Sequence, residues 1–389
     1  MLTLYYALYK CLTGIGVLVL VSDAEHYTYA SIVFAQAVLV LLYRPPSSPA
    51  LAALRTEVTA WPRANIGLWP AFGLISLSMA ILFWQIGVPT LADDPNVAKT
   101  MLQEHPILIR WYRFFLPACI ILMICAIKIN SQLLNGKHLA FIGFGFLMGL
   151  MLGFKGFILT YVLIPLAIAV AGNFKLRVSR IILMGIFGVI VSVSLVAFIE
   201  RLTVREAAFF FATRITVVQA LGPSQSLHEI ENLRGYDVIS HDLSTAMYRI
   251  GWEGGTVQSF NAYMFEQVMG ENQYGMEVTV PFSLGFMIQF GFIGLLVASF
   301  IETALAVVLF RKTDSIGARG NSPMVYTIMV LASMAFIDAA LNGVLSIRAL
   351  DFLVSLLFFA PFMWLVKSCL MPKRIITSLN ASMPPTERP

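Results

Sequence analysis

The sequence predicts an all-α, polytopic integral membrane protein with about ten transmembrane helices and one large external loop. Three observations carry that expectation. Apolar residues make up 58% of the 389-residue chain and charged residues 12%, with the hydrophobicity spread in long blocks instead of one anchor. The formal net charge of +5 is distributed by segment, and the basic residues fall in alternate connections. The four cysteines, Cys11, Cys119, Cys125 and Cys369, lie in spans or near a basic end, so neither a disulfide framework nor a cysteine-based metal site is expected.

In chain order the apolar blocks predict helices near 2–21, 27–43, 67–88, 107–127, 139–153, 157–171, 181–199, 281–310, 322–341 and 350–366. The first block is followed by the polar Ser22-Asp23-Ala24-Glu25-His26 without a small-residue cleavage pattern, so it is expected to stay as a span. The connection 44–66 opens with the helix stop Arg44-Pro45-Pro46. It then offers Leu51, Leu54 and Val58 beside Arg55 and Arg63, the pattern of a segment lying on acidic lipid.

Residues 139–171 hold one charge, Lys155, in the run Gly153-Phe154-Lys155-Gly156-Phe157. As a single helix this stretch would run roughly 50 Å, against a hydrocarbon layer of about 30 Å. Both flanks are basic, with Lys128 and Lys137 before and Lys175, Arg177 and Arg180 after. The positive-inside rule then folds it into a short hairpin with Lys155 at the outer tip. On that count both termini are cytoplasmic, 1–199 holds seven helices, 281–366 holds three, and 367–389 is a cytoplasmic tail.

The segment 200–280 is acidic, with five Arg against ten Asp and Glu, and is long enough to hold an extramembrane structure. Its first part reads as a helix in the outer leaflet. The remainder, with Gly235, Gly251, Gly254, Gly255, Gly270 and Gly275, reads as loop-rich.

Several residues there have the chemistry of a site. Lys155, flanked by glycines, suits either a snorkelling lysine or a phosphate site. Arg214, isolated in Phe209-Phe210-Phe211-Ala212-Thr213-Arg214, needs a carboxylate partner or an anionic headgroup. Arg201 and Arg205 are four apart, sharing a face if helical, with Glu200 and Glu206 able to neutralise them. Arg110 and Arg113 fit headgroup anchoring, and Asp338 with Arg348 fits a structural ion pair. A general base would come from His228, His241, Asp237 or Glu253. No Walker loop, His-Glu-x-x-His, Gly-x-Ser-x-Gly or dinucleotide fingerprint is present, which removes support for nucleotide-driven, metalloprotease and serine hydrolase chemistry.

Three stretches together resemble the bacterial oligosaccharide repeat-unit polymerases of the Wzy type, which build O-antigen and exopolysaccharide. They are Gly153-Phe154-Lys155-Gly156, the arginine-bearing phenylalanine run around Arg214, and Tyr274-Gly275 followed by Pro281-Phe282-Ser283-Leu284-Gly285 and Phe290-Gly291-Phe292-Ile293-Gly294. They cover about residues 140–310. The resemblance implies a metal-independent glycosyltransferase without a cofactor, acting at the periplasmic face of the bacterial inner membrane on undecaprenyl-diphosphate-linked repeat units. Lys155 and Arg214 would then contact the diphosphate, assisted by Arg201 and Arg205. The implied partners are the lipid-linked oligosaccharide, membrane lipid, a chain-length regulator and a flippase, with no nucleic acid. An O-antigen ligase-like enzyme or a transporter of lipid-linked sugars are the competing readings. A transporter would carry charge through the middle of several spans, and Lys10 and Glu302 are the charges that fit that pattern.

Overall fold

The computed structural model describes residues 2–21, 23–43, 64–92, 98, 101, 105, 108, 111–126, 136–152, 164, 178–213, 219–233, 236–249, 260–269, 280–319, 323–343, 349–350 and 352–361. Among them there are helices and no strand. They are α1 (Leu2–Leu20), α2 (Ala24–Leu42), α3 (Ala64–Ile86), α4 (Leu116–Ala126, entered through a wide turn at Trp111–Phe115), α5 (Gly136–Leu152) and α6 (Val178–Glu200). After these come α7 (Val204–Thr213), α8 (Gln219–His228), α9 (Ile230–Leu233), α10 (Val238–Arg249), α11 (Phe260–Met269), α12 (Phe282–Arg319), α13 (Pro323–Asn342) and α14 (Phe352–Pro361).

The helices are inside-out by the standard of a water-soluble protein. On α1, Leu4, Leu8, Ile15 and Val19 are exposed while Tyr6, Lys10 and Thr13 are buried. On α12, Phe290, Phe292, Ile293, Phe300 and Val308 are exposed while Ser283, Ser299, Glu302 and Thr303 are buried. A fold that turns large apolar side chains outward along whole helices and keeps its charges inside is built for a lipid solvent. Four stretches, Leu2–Leu20, Ala24–Leu42, Phe72–Leu91 and Phe282–Ile316, are long and apolar enough to cross a membrane.

Two cores hold the bundle. One joins α1 through α5 to the later parts of α12, α13 and α14, around Tyr6, Met79, Tyr112, Leu116, Phe310 and Phe359. The other lies where α1 ends and α2 begins, around Val17, Tyr29, Val33, Leu227, Val238, Phe260 and Leu284. There α8 packs on α1 and α2, and α9 and α10 pack on α12. The segment after residue 200 is therefore a helical cap seated on one end of the bundle. The loop-rich expectation is corrected: α8 to α11 are helices, and the glycines that suggested loops lie outside the described residues.

Helix α12 runs on to Arg319, past the boundary expected near residue 310, and is broken at Gly291, which has φ 68° and ψ −158°. A Cβ on Gly294 would sit 2.3 Å from the Phe286 carbonyl oxygen, eight residues back. In a continuous helix residues eight apart are separated by about 12 Å along the axis, so the chain turns sharply here. The Phe290-Gly291-Phe292-Ile293-Gly294 motif thus has a local reason. Gly291 supplies a left-handed backbone and Gly294 the space for the turn to close.

Candidate functional site

Of the residues the sequence singles out, Lys155, Arg214 and Glu253, with Arg110, Arg348 and Asp351, lie outside the described residues. The remaining ones sit in or beside the cap. Helix α6 ends in a Schellman turn: Leu202 N–H donates to the Ala197 carbonyl at 3.0 Å, and Arg201 takes the left-handed position at φ 54°. Arg201 is therefore not helical, and the expected shared face with Arg205 is corrected. The two exposed cations stand on either side of the α6–α7 corner. Glu206 is not placed to neutralise them. Its carboxylate accepts from Thr203 N at 2.9 Å and from Thr203 Oγ1 at 2.7 Å, while its own N–H donates to Thr203 Oγ1 at 3.3 Å. This is a capping box opening α7, and the hydroxyl and amide of Thr203 hold the Glu206 carboxyl below its ordinary pKa.

Asp237 is the N-cap of α10. Its Oδ1 accepts from Ser240 N at 3.1 Å and from Gln289 Nε2 at 2.7 Å, and Gln289 Oε1 accepts from Ile239 N at 3.2 Å. Gln289, two residues before the α12 break, thus ties the cap to the bundle. The Ser240 bonds, with a smaller contribution from Gln289, hold the Asp237 carboxyl below its ordinary value, which suits an anchor better than a base.

His241, one turn along α10, is half-buried, and its Nδ1 has no partner among the described residues. Burial pushes its imidazole pKa down, against an opposing pull from Asp242, so the ring is neutral at pH 7. Its centroid is 5.8 Å from that of Tyr236, which stacks on Tyr263 at 5.3 Å and 11°. A neutral histidine beside two half-exposed parallel rings has the composition of a surface that receives a polyol and takes a proton from it. His228 is exposed at the end of α8, apart from this cluster in sequence and helix.

The sequence reading missed a second site. Lys10 Nζ lies 2.6 Å from Glu302 Oε1, with both side chains about 99% buried. The Tyr6 hydroxyl donates to the same carboxylate oxygen, and the Lys10 ammonium stands 5.5 Å from the centre of the Tyr6 ring. Glu302 Oε2 and Gln36 Oε1 are buried without a hydrogen-bond partner among the described residues. Gln36 Nε2 donates to the Ser299 carbonyl at 3.1 Å, one turn from Glu302. At the capped end, Asp23 caps α2 through a 2.9 Å bond from His26 N, and the same oxygen lies 2.6 Å from His26 Nδ1. The Asp–x–x–His spacing was legible at residues 23–26, and an N-cap aspartate with a histidine at its third helical position was the available signal. The pairing of Lys10 with Glu302, across most of the chain, had no local signal.

No family model, curated protein or solved structure matches the chain.

Proposed function

We propose that this protein is a bacterial inner-membrane glycosyltransferase that polymerises undecaprenyl-diphosphate-linked oligosaccharide repeat units. In this reading about ten spans place both termini in the cytoplasm and residues 200–280 in the periplasm. The observation that supports it most is the cap: the acidic segment after α6 is folded onto the bundle end and presents His241 with Tyr236 and Tyr263. His241 takes the acceptor hydroxyl proton. Arg201 and Arg205, with Lys155 and Arg214, meet the departing diphosphate, whose charge grows in the transition state. The acceptor oxygen bonds to the anomeric carbon as the bond to the diphosphate breaks.

The test is deletion of the gene, complementation with wild type or with His241→Ala, and electrophoresis of the surface glycan. Single repeat units in the deletion strain, long chains with wild type and single units with His241→Ala would support the reading. Full-length lipid-linked polymer that fails to reach its acceptor would point to a ligase, and an unchanged pattern would overturn both. A transporter of lipid-linked sugars is the second reading. It is favoured by the buried Lys10–Glu302 pair beside a helix interrupted at Gly291, because broken helices and interior charges mark transport sites.

A further inference from the structure

Titratable groups run from the capped end of the bundle to the middle of its apolar helices. Asp23 is 49% exposed; His26, 2.6 Å away through Nδ1, is 0% exposed, and its Nε2 is buried with no partner among the described residues. A ring held by a carboxylate at one nitrogen and free at the other accepts a proton on one side and gives one up on the opposite side. One helical turn further along the same buried face of α2 is Tyr29, fully buried. Its hydroxyl faces Ser283 without closing a hydrogen bond of ordinary geometry, and it lies within electrostatic reach of Glu302. Glu302 in turn accepts from Tyr6 and pairs with Lys10, leaving Oε2 as a buried carboxylate oxygen with no other occupant among the described residues.

A structural ion pair alone does not account for this arrangement. Leaving a buried polar atom unpartnered costs about 1–3 kcal/mol. Here His26 Nε2, Tyr29 Oη, Ser283 Oγ, Ser299 Oγ, Gln36 Oε1 and Glu302 Oε2 are all in that state along α2 and α12. Atoms that alternate between donating and accepting are tolerated where protons move, and carboxylate–histidine–tyrosine series inside membranes serve that purpose.

We infer that Asp23, His26 and Tyr29 form a proton path from the aqueous phase at the capped end to Glu302, which is the proton-binding group. One proton taken up from water at Asp23 passes through the His26 ring, reaches Glu302 Oε2 by way of Tyr29, and neutralises that carboxylate. Lys10 remains cationic, so the bundle interior gains one positive charge. The groups facing Glu302 are Lys10 and Tyr6 of α1 and Tyr29 of α2. Tyr9 of α1 is turned toward Asp338 of α13 and takes no part. The path stands whether or not the protein polymerises glycan.

The test uses the purified full-length protein in liposomes and dicyclohexylcarbodiimide, an apolar reagent that modifies protonated carboxyls within membranes. Mass spectrometry is expected to find the adduct on Glu302, rising about tenfold per pH unit as the pH falls while the carboxylate is still mostly ionised. Lys10→Gln is expected to raise labelling at a given pH. His26→Gln is expected to leave the final labelling unchanged and to slow proton uptake, followed with a pH dye after a pH jump. Lys10→Gln/Glu302→Gln, which keeps the interior neutral, is the folded baseline and is expected to take up one proton fewer than wild type. Absence of a Glu302 adduct across the range from about pH 8 to about pH 5, or labelling independent of pH, would overturn the proton site. Labelling with uptake kinetics indifferent to His26→Gln would overturn the path.

Discussion

Glu302→Gln removes the charge that Lys10 faces at 2.6 Å inside the bundle. At that separation the attraction is about 6 kcal/mol for an effective dielectric of about 20, part of which is offset by the cost of taking both groups out of water. Breaking one half of a buried pair leaves an uncompensated charge, so the single variant is expected to lose about 3–5 kcal/mol. Lys10→Met should lose a similar amount, because Glu302 would then be buried with only the Tyr6 hydroxyl. The double variant Lys10→Met/Glu302→Leu is expected to recover most of the loss, since an apolar pair of similar volume often matches a buried ion pair. The remaining deficit is the Tyr6 hydroxyl, left without its acceptor at a cost of about 1–3 kcal/mol, and Tyr6→Phe in the same background should remove it. Thermal unfolding in detergent, with size-exclusion as a check on the folded fraction, reads all four variants. Single variants as stable as wild type, or a double variant whose loss is the sum of the singles, would refute the coupling.

The α12 turn should be equally selective. Gly291→Ala is expected to cost at least about 1–2 kcal/mol for its left-handed backbone, and Gly294→Ala more, because its Cβ meets the Phe286 carbonyl; equal melting temperatures for both and wild type would contradict the turn. Arg201→Gly fills a left-handed position with the residue suited to it and is expected to gain about 1 kcal/mol in stability while impairing glycan polymerisation; full polymer length would remove Arg201 from the diphosphate contact. Asp237 has a folded pKa held below its unfolded one, so its contribution to cap stability is complete above the ordinary carboxylate pKa and is lost as the pH falls through the depressed value. Hydrogen exchange of the α10 amides should rise in that acid window for wild type, and Asp237→Asn should show no such rise.

The positions of the helices were legible because the period and length of apolar blocks are local properties. Helices α1, α2, α3, α6, α12 and α13 begin and end within a few residues of where hydropathy put them, except that α12 runs on through Arg311 and Lys312 to Arg319. The cap was not legible. Its helices are short and of mixed polarity, with Val238, Leu227 and Phe260 buried only because the bundle end supplies the other half of their core. Asp237 shows the same limit: as a loop carboxylate it is a candidate base, whereas Gln289, 52 residues on, makes it an anchor.

The same division bears on where function lies in this fold. A charge in an apolar helix is costly in every conformation except the one that partners it, so Lys10 and Glu302 are mutually required although neither is specified by its neighbours in sequence. Their pairing fixes the later half of α12 against α1, while Gln289 fixes the earlier half against α10 and the cap. The break at Gly291 lies between these two attachments. Protonation of Glu302 would weaken one attachment and leave the other intact, so the part of α12 that carries the cap could shift relative to the part held by α1 only through the turn at Gly291 and Gly294. A cross-link between the two halves, placed on either side of Gly291, should therefore leave Glu302 labelling unchanged while abolishing any pH-dependent change in hydrogen exchange of α10. Loss of labelling in the cross-linked protein would mean that the turn gates the proton itself, not the response of the cap to it.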